Sequence, residues 1–333
     1  MKVWSASRLI GVCGASLLFA AVVGCLCLLV GSTGWGWPTA ASFPYRWPSV
    51  AMAGLIGAAL SAAGVTYQAV LRNPLAEPYL LGVSGGASLL AYVAAISTGT
   101  LASWLAPLGQ QSASFVGAMA ALALVLMLSQ RRGRLEPVTL LLVGIIVSAI
   151  CGAVYLLVYH LNLRSEGLGT GGPFRFLVGE INTNLTKLQM GTAAGIIAVG
   201  WCVLLGLSGE LNVATLSEAE AEALGVRIQR LRWVSLIIAS LLTAAAVAVS
   251  GPIGFVGLVC PHLARLIVGT DPRRLLPIAT AFGAALLMLA DAVARAVSWW
   301  TYGTLPVGVL TGLLGGPFFL FLLWRGRTQS HAR

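Results

Sequence analysis

The residues able to do chemistry are few, and their spacing narrows what they can do. Asp291 and Arg295 stand four apart in an apolar run, a spacing that lets them pair on one helix face. An ionisable pair inside a membrane span is a functional site by default; the structural alternative puts Arg295 near the external end with Asp291 anchoring it. The histidines His160, His262 and His331 begin no metal-binding or triad-like pattern, and His262 reads as a hydrogen-bonded structural residue. The cysteines Cys13, Cys25, Cys27, Cys151, Cys202 and Cys260 all fall in apolar runs without a Cys-x-x-Cys or Cys/His grouping. They read as small hydrophobes rather than metal ligands. A P-loop needs a lysine after its glycine-rich turn, and the two lysines, Lys2 and Lys187, follow none. The chain therefore carries no nucleotide-hydrolysing site of its own and no catalytic constellation.

The densest polar stretch is 208–232, which holds Glu210, Glu218, Glu220 and Glu222 out of ten acidic residues. Its segment TLSEAEAEALG, residues 215–225, predicts one short helix. Ser217 can cap the first free N–H groups and Glu220, three residues on, completes a capping box. Glutamates in the first turn suit the positive end of the helix dipole. Gly225 follows Leu224 as a left-handed C-terminal cap, and Val226 leads to Arg227, Arg230 and Arg232. A loop this ordered is shaped to be held by a partner; the plainer reading is a solvated connector that caps itself.

These residues need a scaffold, and composition says which. Of 333 residues 58% are hydrophobic and 9% charged, with mean hydropathy +0.91. Soluble domains carry roughly 25% charge, so this is an all-α polytopic membrane protein. Against a span of about 20 residues, the apolar runs predict ten helices at 9–30, 48–70, 79–98, 112–130, 137–160, 188–207, 233–250, 254–268, 275–299 and 305–324. The first run exceeds the ~7–15 residues of a signal core and reads as a retained span. With the N-terminus inside, 15 of the 20 basic residues fall on the cytoplasmic side and 5 (Arg46, Arg164, Arg175, Lys187 and Arg295) outside. That bias sets the orientation: both termini are cytoplasmic, and so is the 208–232 loop. Residues 161–187 form the long external piece, with a short surface helix expected at 174–179. The whole chain, 1–333, reads as one transmembrane domain.

Gly308, Gly312 and Gly316 recur every four residues on one face of the last span, a spacing that lets helix backbones pack closely. The run 250–257, SGPIGFVG, cannot be smooth helix; it is expected to turn back near the external surface and edge a cavity. Residues 72–78 make a tight cytoplasmic turn in which Glu77 can pair with Arg72.

Taken in order, these motifs resemble a known family. RNPLAEPYLLGVSGGAS at 72–88, SGPIGFVGLVCPHLARLIVGTD at 250–271, LADAVAR at 289–295 and LPVGVLTGLLGGPFF at 305–319 are similar to the FecCD-type permease subunits of ABC importers for iron-siderophores, haem and vitamin B12. The resemblance implies a type II importer permease of ten helices in a bacterial cytoplasmic (inner) membrane. Its partners would be a second permease copy or homologue, ABC ATPase subunits holding ATP and Mg below, and an external substrate-binding protein above. No cofactor or metal belongs to this chain, and no nucleic acid. By resemblance, Leu216, Ser217, Glu218, Ala219, Glu220, Ala223, Leu224, Gly225, Val226 and Arg227 couple to the ATPase. Arg46 and Arg295 dock the binding protein, although a basic residue often found three before the first is Phe43 here. The cytoplasmic gate maps to Leu135, Glu136, Pro137, Val138 and Thr139, where Glu136-Pro137 departs from the small hydroxyl residues expected. The cargo is expected to be an iron(III)-siderophore or similar large chelate, with vitamin B12 or haem as alternatives. The reading from a different class is an ion-coupled secondary transporter, for which Asp291 is the only clear intramembrane carboxylate.

Overall fold

The computed structural model describes residues 6–31, 34–96, 109–131, 134–166, 177–181, 185–216, 218–298 and 305–330. Its helices run α1 Ala6–Leu28, α2 Phe43–Val70, α3 Val83–Ile96, α4 Gly109–Leu128, α5 Pro137–Glu166, α6 Lys187–Ala214, α7 Glu218–Ala223, α8 Ile228–Ser250, α9 Val256–Val268, α10 Pro272–Val297 and α11 Val307–Ser330. Seven are long and apolar enough to cross a membrane, and α3, α9 and α11 are shorter apolar helices. Among the described residues these are the ten expected spans, in the expected order, with α7 as the short polar helix between the sixth and seventh.

Helix ends follow local chemistry. Thr186 and Gln189 close a capping box at the start of α6. Asp271 accepts from the Arg273 N–H, with Pro272 opening α10. Two minimal antiparallel hairpins punctuate the bundle: β1 Val30–Gly31 with β2 Gly34–Trp35, and β3 Gln130–Arg131 with β4 Arg134–Leu135. Periodicity cannot announce two-residue strands.

The core is organised around α2, whose Met52, Ile56, Leu60 and Tyr67 are fully buried. Its backbone meets α10 where Gly57 faces Gly283, and α9 where Gly64 faces Gly257; a Cβ at any of these would strike the opposite backbone or its neighbour. Side chains there would push the spans apart, so small residues set the approach distance. Of the glycines expected to pack α11, Gly308 fits against the Val178 carbonyl, whereas Gly312 and Gly316 have nothing within 4 Å of a Cβ position. The close contact farther along α11 is Gly315, which accommodates the Phe255 side chain.

By contrast, α5 is mostly exposed and apolar: Leu142, Ile145, Ile146, Ile150, Leu156 and Leu157 all face outward. Of the external helix expected at 174–179, residues 174–176 lie outside the described residues, and 177–178 are helical. Gly179, with φ +83°, wedges against the Pro252 carbonyl, and its own carbonyl accepts from the Gly308 N–H at 2.9 Å.

Candidate functional site

On the cytoplasmic side, α6 ends at Ala214 and the chain turns into α7. Ser217 lies outside the described residues, so its capping bond is not placed; for Glu218 only the backbone is described, as the first residue of α7. Ala221 is fully buried and seats the short helix, while Ala219, Glu220, Glu222 and Ala223 are exposed. Gly225 takes the left-handed conformation, φ +81°. The chain closes there through Leu224 N to Glu220 O (3.1 Å), Gly225 N to Glu222 O (2.9 Å) and Val226 N to Ala221 O (3.1 Å). Those bonds satisfy carbonyls that a helix end leaves orphaned. Arg227 is exposed and leads into α8, where Ile228 is buried. Two apolar side chains remain in water on this loop, Leu216 at 40% and Leu224 at 55% exposure.

Side-chain bonds fasten this loop to its surroundings. The Arg72 Nε donates to the Ala214 carbonyl at 2.9 Å, tying the end of α6 to the 71–77 turn. The Leu135 N–H donates to the Gln229 Oε1 at 3.3 Å, tying β4 to the first turn of α8. The segment expected to hold the gate is therefore adjacent to the 208–232 loop. Leu135 is buried there, and Pro137 opens α5. Thr139 donates its hydroxyl to the Glu136 carboxylate at 2.9 Å, the Glu136 carbonyl accepts from the Leu140 N–H, and Val138 is exposed. Gln229 carried no sequence signal as a tie, because its partner is a backbone amide 94 residues away.

Outside, Asp291 and Arg295 pair at 3.0 Å. The Ser49 hydroxyl lies 3.0 Å from both Asp291 oxygens. Arg295 also donates to the Val30 carbonyl at 2.6 Å and the Cys27 carbonyl at 3.3 Å. Arg46 donates to the Leu28 carbonyl at 3.3 Å and the Gly36 carbonyl at 3.1 Å. Both guanidiniums thus clamp the C-terminal end of α1, where unpaired carbonyls and the helix dipole favour positive charge. The side chain of Arg295 is only 14% exposed, so it is less open to the external face than the sequence suggested. A cavity of about 190 Å³ opens beside the pair, lined in part by Tyr45, Arg46, Glu180, Asp291 and Arg295.

The broken segment between α8 and α9 lies deeper than a turn at the external surface. The Glu77 carboxylate accepts from the Phe255 N–H, and the Tyr79 hydroxyl accepts from the Ile253 N–H. Gln68 donates to the Gly257 carbonyl at 3.2 Å and accepts from Arg265 at 2.7 Å. Irregular backbone survives at membrane depth only where protein or water satisfies it, and these side chains do so. Glu77 is therefore spent on Phe255, not on Arg72. Phe255 itself has φ +69°, a conformation an aromatic residue holds only when its surroundings fix it.

A sequence profile described as the FecCD transport family matches residues 19–325. A cobalamin import system permease protein, BtuC of Halobacterium salinarum, is 39% identical over 280 residues, covering 84% of this chain and 72% of the relative. The hemin transport system permease protein HmuU of Yersinia pestis is 38% identical over 291 residues, covering 85% and 83%. The molybdate import system permease protein MolB of Haemophilus influenzae is 34% identical over 286 residues, covering 85% and 80%. Among solved structures, an inward-facing conformation of a metal-chelate type ABC transporter superposes with a TM-score of 0.80 at 29% identity, covering 95% of this chain and 99% of that one. The family profile over residues 19–325 and the superposition over 95% of the chain agree: this ten-span importer permease of the cytoplasmic membrane belongs to the FecCD transport family.

Proposed function

We propose that the chain forms, with a second permease copy or homologue, the pathway for an iron(III)-siderophore or similarly large chelate, driven by ATP and Mg bound on partner ATPase subunits. Vitamin B12 and haem are the other cargoes of this class, and relatives named for cobalamin and hemin lie at 39% and 38% identity. The exposed apolar face of α5 is where the second copy packs; among its described side chains from Leu140 to Leu161 only Cys151 and His160 are ionisable apart from the tyrosines. A pathway with so little charge suits cargo whose metal is already wrapped.

The observation that carries the ATPase assignment is the pair Leu216 and Leu224, exposed apolar side chains that flank a short, tightly closed helix. Exposed apolar surface of this kind marks a docking patch. Movement of the ATPase subunits displaces α7. The displacement passes through buried Ala221 to α6 and α8, and through Gln229 to β4 and the start of α5. Arg46 and Arg295 border the external cavity where a carboxylate of the binding protein enters. Exposed ion pairs are worth about 0–1 kcal/mol each, so they orient the partner more than they hold it.

The test is crosslinking in the assembled importer. Ala219→Cys or Ala223→Cys captures the ATPase subunit, and ATP with Mg changes the yield. An assembly that transports cargo yet gives no crosslink from either position rejects the coupling role.

A further inference from the structure

We propose that the cytoplasmic mouth of the groove between α6 and α8 is a binding site for one anionic phospholipid of the inner leaflet. Its phosphodiester lies between Arg227 and Arg230, and an acyl chain runs up the groove. A cavity of about 440 Å³ opens here. Its floor is apolar, from Leu207 on α6 and Leu231 and Val234 on α8; Arg227, Arg230 and Glu210 supply its charge. All three charged side chains are exposed. Among the described residues neither arginine side chain has a hydrogen-bond or ion-pair partner. Two positive charges against one negative leave the rim at net +1, which matches the single negative charge of a phosphodiester.

The groove continues from that mouth into the bilayer. Val199 and Val203 on α6 and Val234 and Ile237 on α8 are exposed apolar side chains, and nothing lies within 4 Å of a Cβ placed on Gly206. The two helices close at Gly200, where a Cβ would meet Leu242 at 2.9 Å. From Arg230 to Leu242 the rise is about 18 Å at ~1.5 Å per residue. One leaflet of hydrocarbon is about 15 Å thick. The groove is therefore about as long as one acyl chain. Basic pockets between spans on the cytoplasmic side bind anionic head groups through this combination of charge and depth.

The position of the site beside the coupling helix would make inner-leaflet composition felt at the ATPase contact. The test uses the full chain, stripped of lipid in detergent and titrated with phosphatidylglycerol, phosphatidylethanolamine or phosphatidylcholine while bound lipid is counted by native mass spectrometry. Phosphatidylglycerol is expected to bind tightest. Each arginine contributes roughly fivefold, so Arg227→Gln/Arg230→Gln is expected to lose about thirtyfold. Glu210→Gln, which removes the opposing charge, is expected to bind phosphatidylglycerol several-fold more tightly, a gain that misfolding cannot mimic. Inorganic phosphate at the same concentration is expected not to compete, since it has no acyl chain. Equal binding of the three lipids, unchanged binding in the double variant, no gain in Glu210→Gln, or displacement by inorganic phosphate would each overturn the proposal. So would a double variant that keeps its lipid but loses the ATPase crosslink at Ala219→Cys, which would give the arginines to the protein partner.

Discussion

The external cluster makes two roles for Arg295 separable. If it clamps α1, removing it strands Asp291, a buried carboxylate left with the single Ser49 hydroxyl at 3.0 Å from each oxygen. If Asp291 is removed instead, Arg295 still has the Val30 and Cys27 carbonyls at 2.6 and 3.3 Å. The two halves of the pair are therefore unequal. Taking one partner from a buried pair costs about 3–5 kcal/mol. The guanidinium is 14% exposed, and water at the cavity mouth places Arg295→Ala near the lower end of that range. Asp291→Asn, which leaves the arginine its carbonyls, costs about 1–2 kcal/mol. Because the groups are in contact, Asp291→Asn/Arg295→Ala falls short of the sum of the single costs by at least about 1 kcal/mol.

Cys27 supplies a direct readout, because its thiol is buried while its carbonyl accepts from Arg295. In a chain whose other cysteines are replaced, an impermeant maleimide added from outside is expected to label Cys27 much faster in Arg295→Ala than in the parent. The double variant should label at an intermediate rate. Chemical unfolding of these three proteins and of Asp291→Asn in lipid discs gives the energies. Parent-like labelling and stability in Arg295→Ala, with cargo uptake nevertheless lost, would refute the clamp and leave docking as the only role.

Three further substitutions test the coupling and the packing. Gln229→Ala removes the bond to the Leu135 N–H, so ATP hydrolysis by the assembled importer should persist while cargo moved per ATP falls several-fold; a constant ratio would show that the link carries no motion. Gly64→Ala drives a Cβ into the Gly257 carbonyl, whereas Gly312→Ala meets nothing within this chain. Overpacking of the first kind costs about 1–3 kcal/mol, so thermal stability in detergent should drop for Gly64→Ala and hold for Gly312→Ala, and equal losses would contradict the contact geometry.

What the sequence made legible follows from how local each signal is. The ten spans could be read because each is its own run of apolar residues, and α7 because its polar run interrupts them. Asp291 and Arg295 could be paired because they stand on one helix. The left-handed Gly225 was readable because a helix stop is a local event. Non-local bonds left no such trace. Glu77 had an arginine five residues before it, yet its partner is a backbone N–H 178 residues away. The carbonyls that Arg46 and Arg295 cap belong to every helix end and have no residue type to announce them. The period-four glycines of α11 were conspicuous, but of them Gly308 alone meets a neighbour among the described residues, and the approaches of glycine to glycine, Gly57 with Gly283, Gly64 with Gly257 and Gly86 with Gly117, join single glycines on different helices. A stripe reports which face could pack; only the fold says against what.

The same geometry weighs on how transport is powered. An ion-coupled carrier needs a carboxylate that loads a cation from one side and releases it to the other. Among the described acidic side chains, Asp291 is the one buried along a spanning helix, and Arg295 and Ser49 already occupy it. Loading an ion there would require breaking the clamp on α1 at each turnover. The polar contacts of α2 are instead spread along its length: Ser49 to Asp291 on α10 near the outer end, Gln68 to Gly257 and Arg265 on α9 near the inner end, and beyond it Arg72 to Ala214 at the base of the 208–232 loop. A rod pinned at both ends transmits displacement rather than charge, which is the arrangement needed by a pathway opened by force applied at α7.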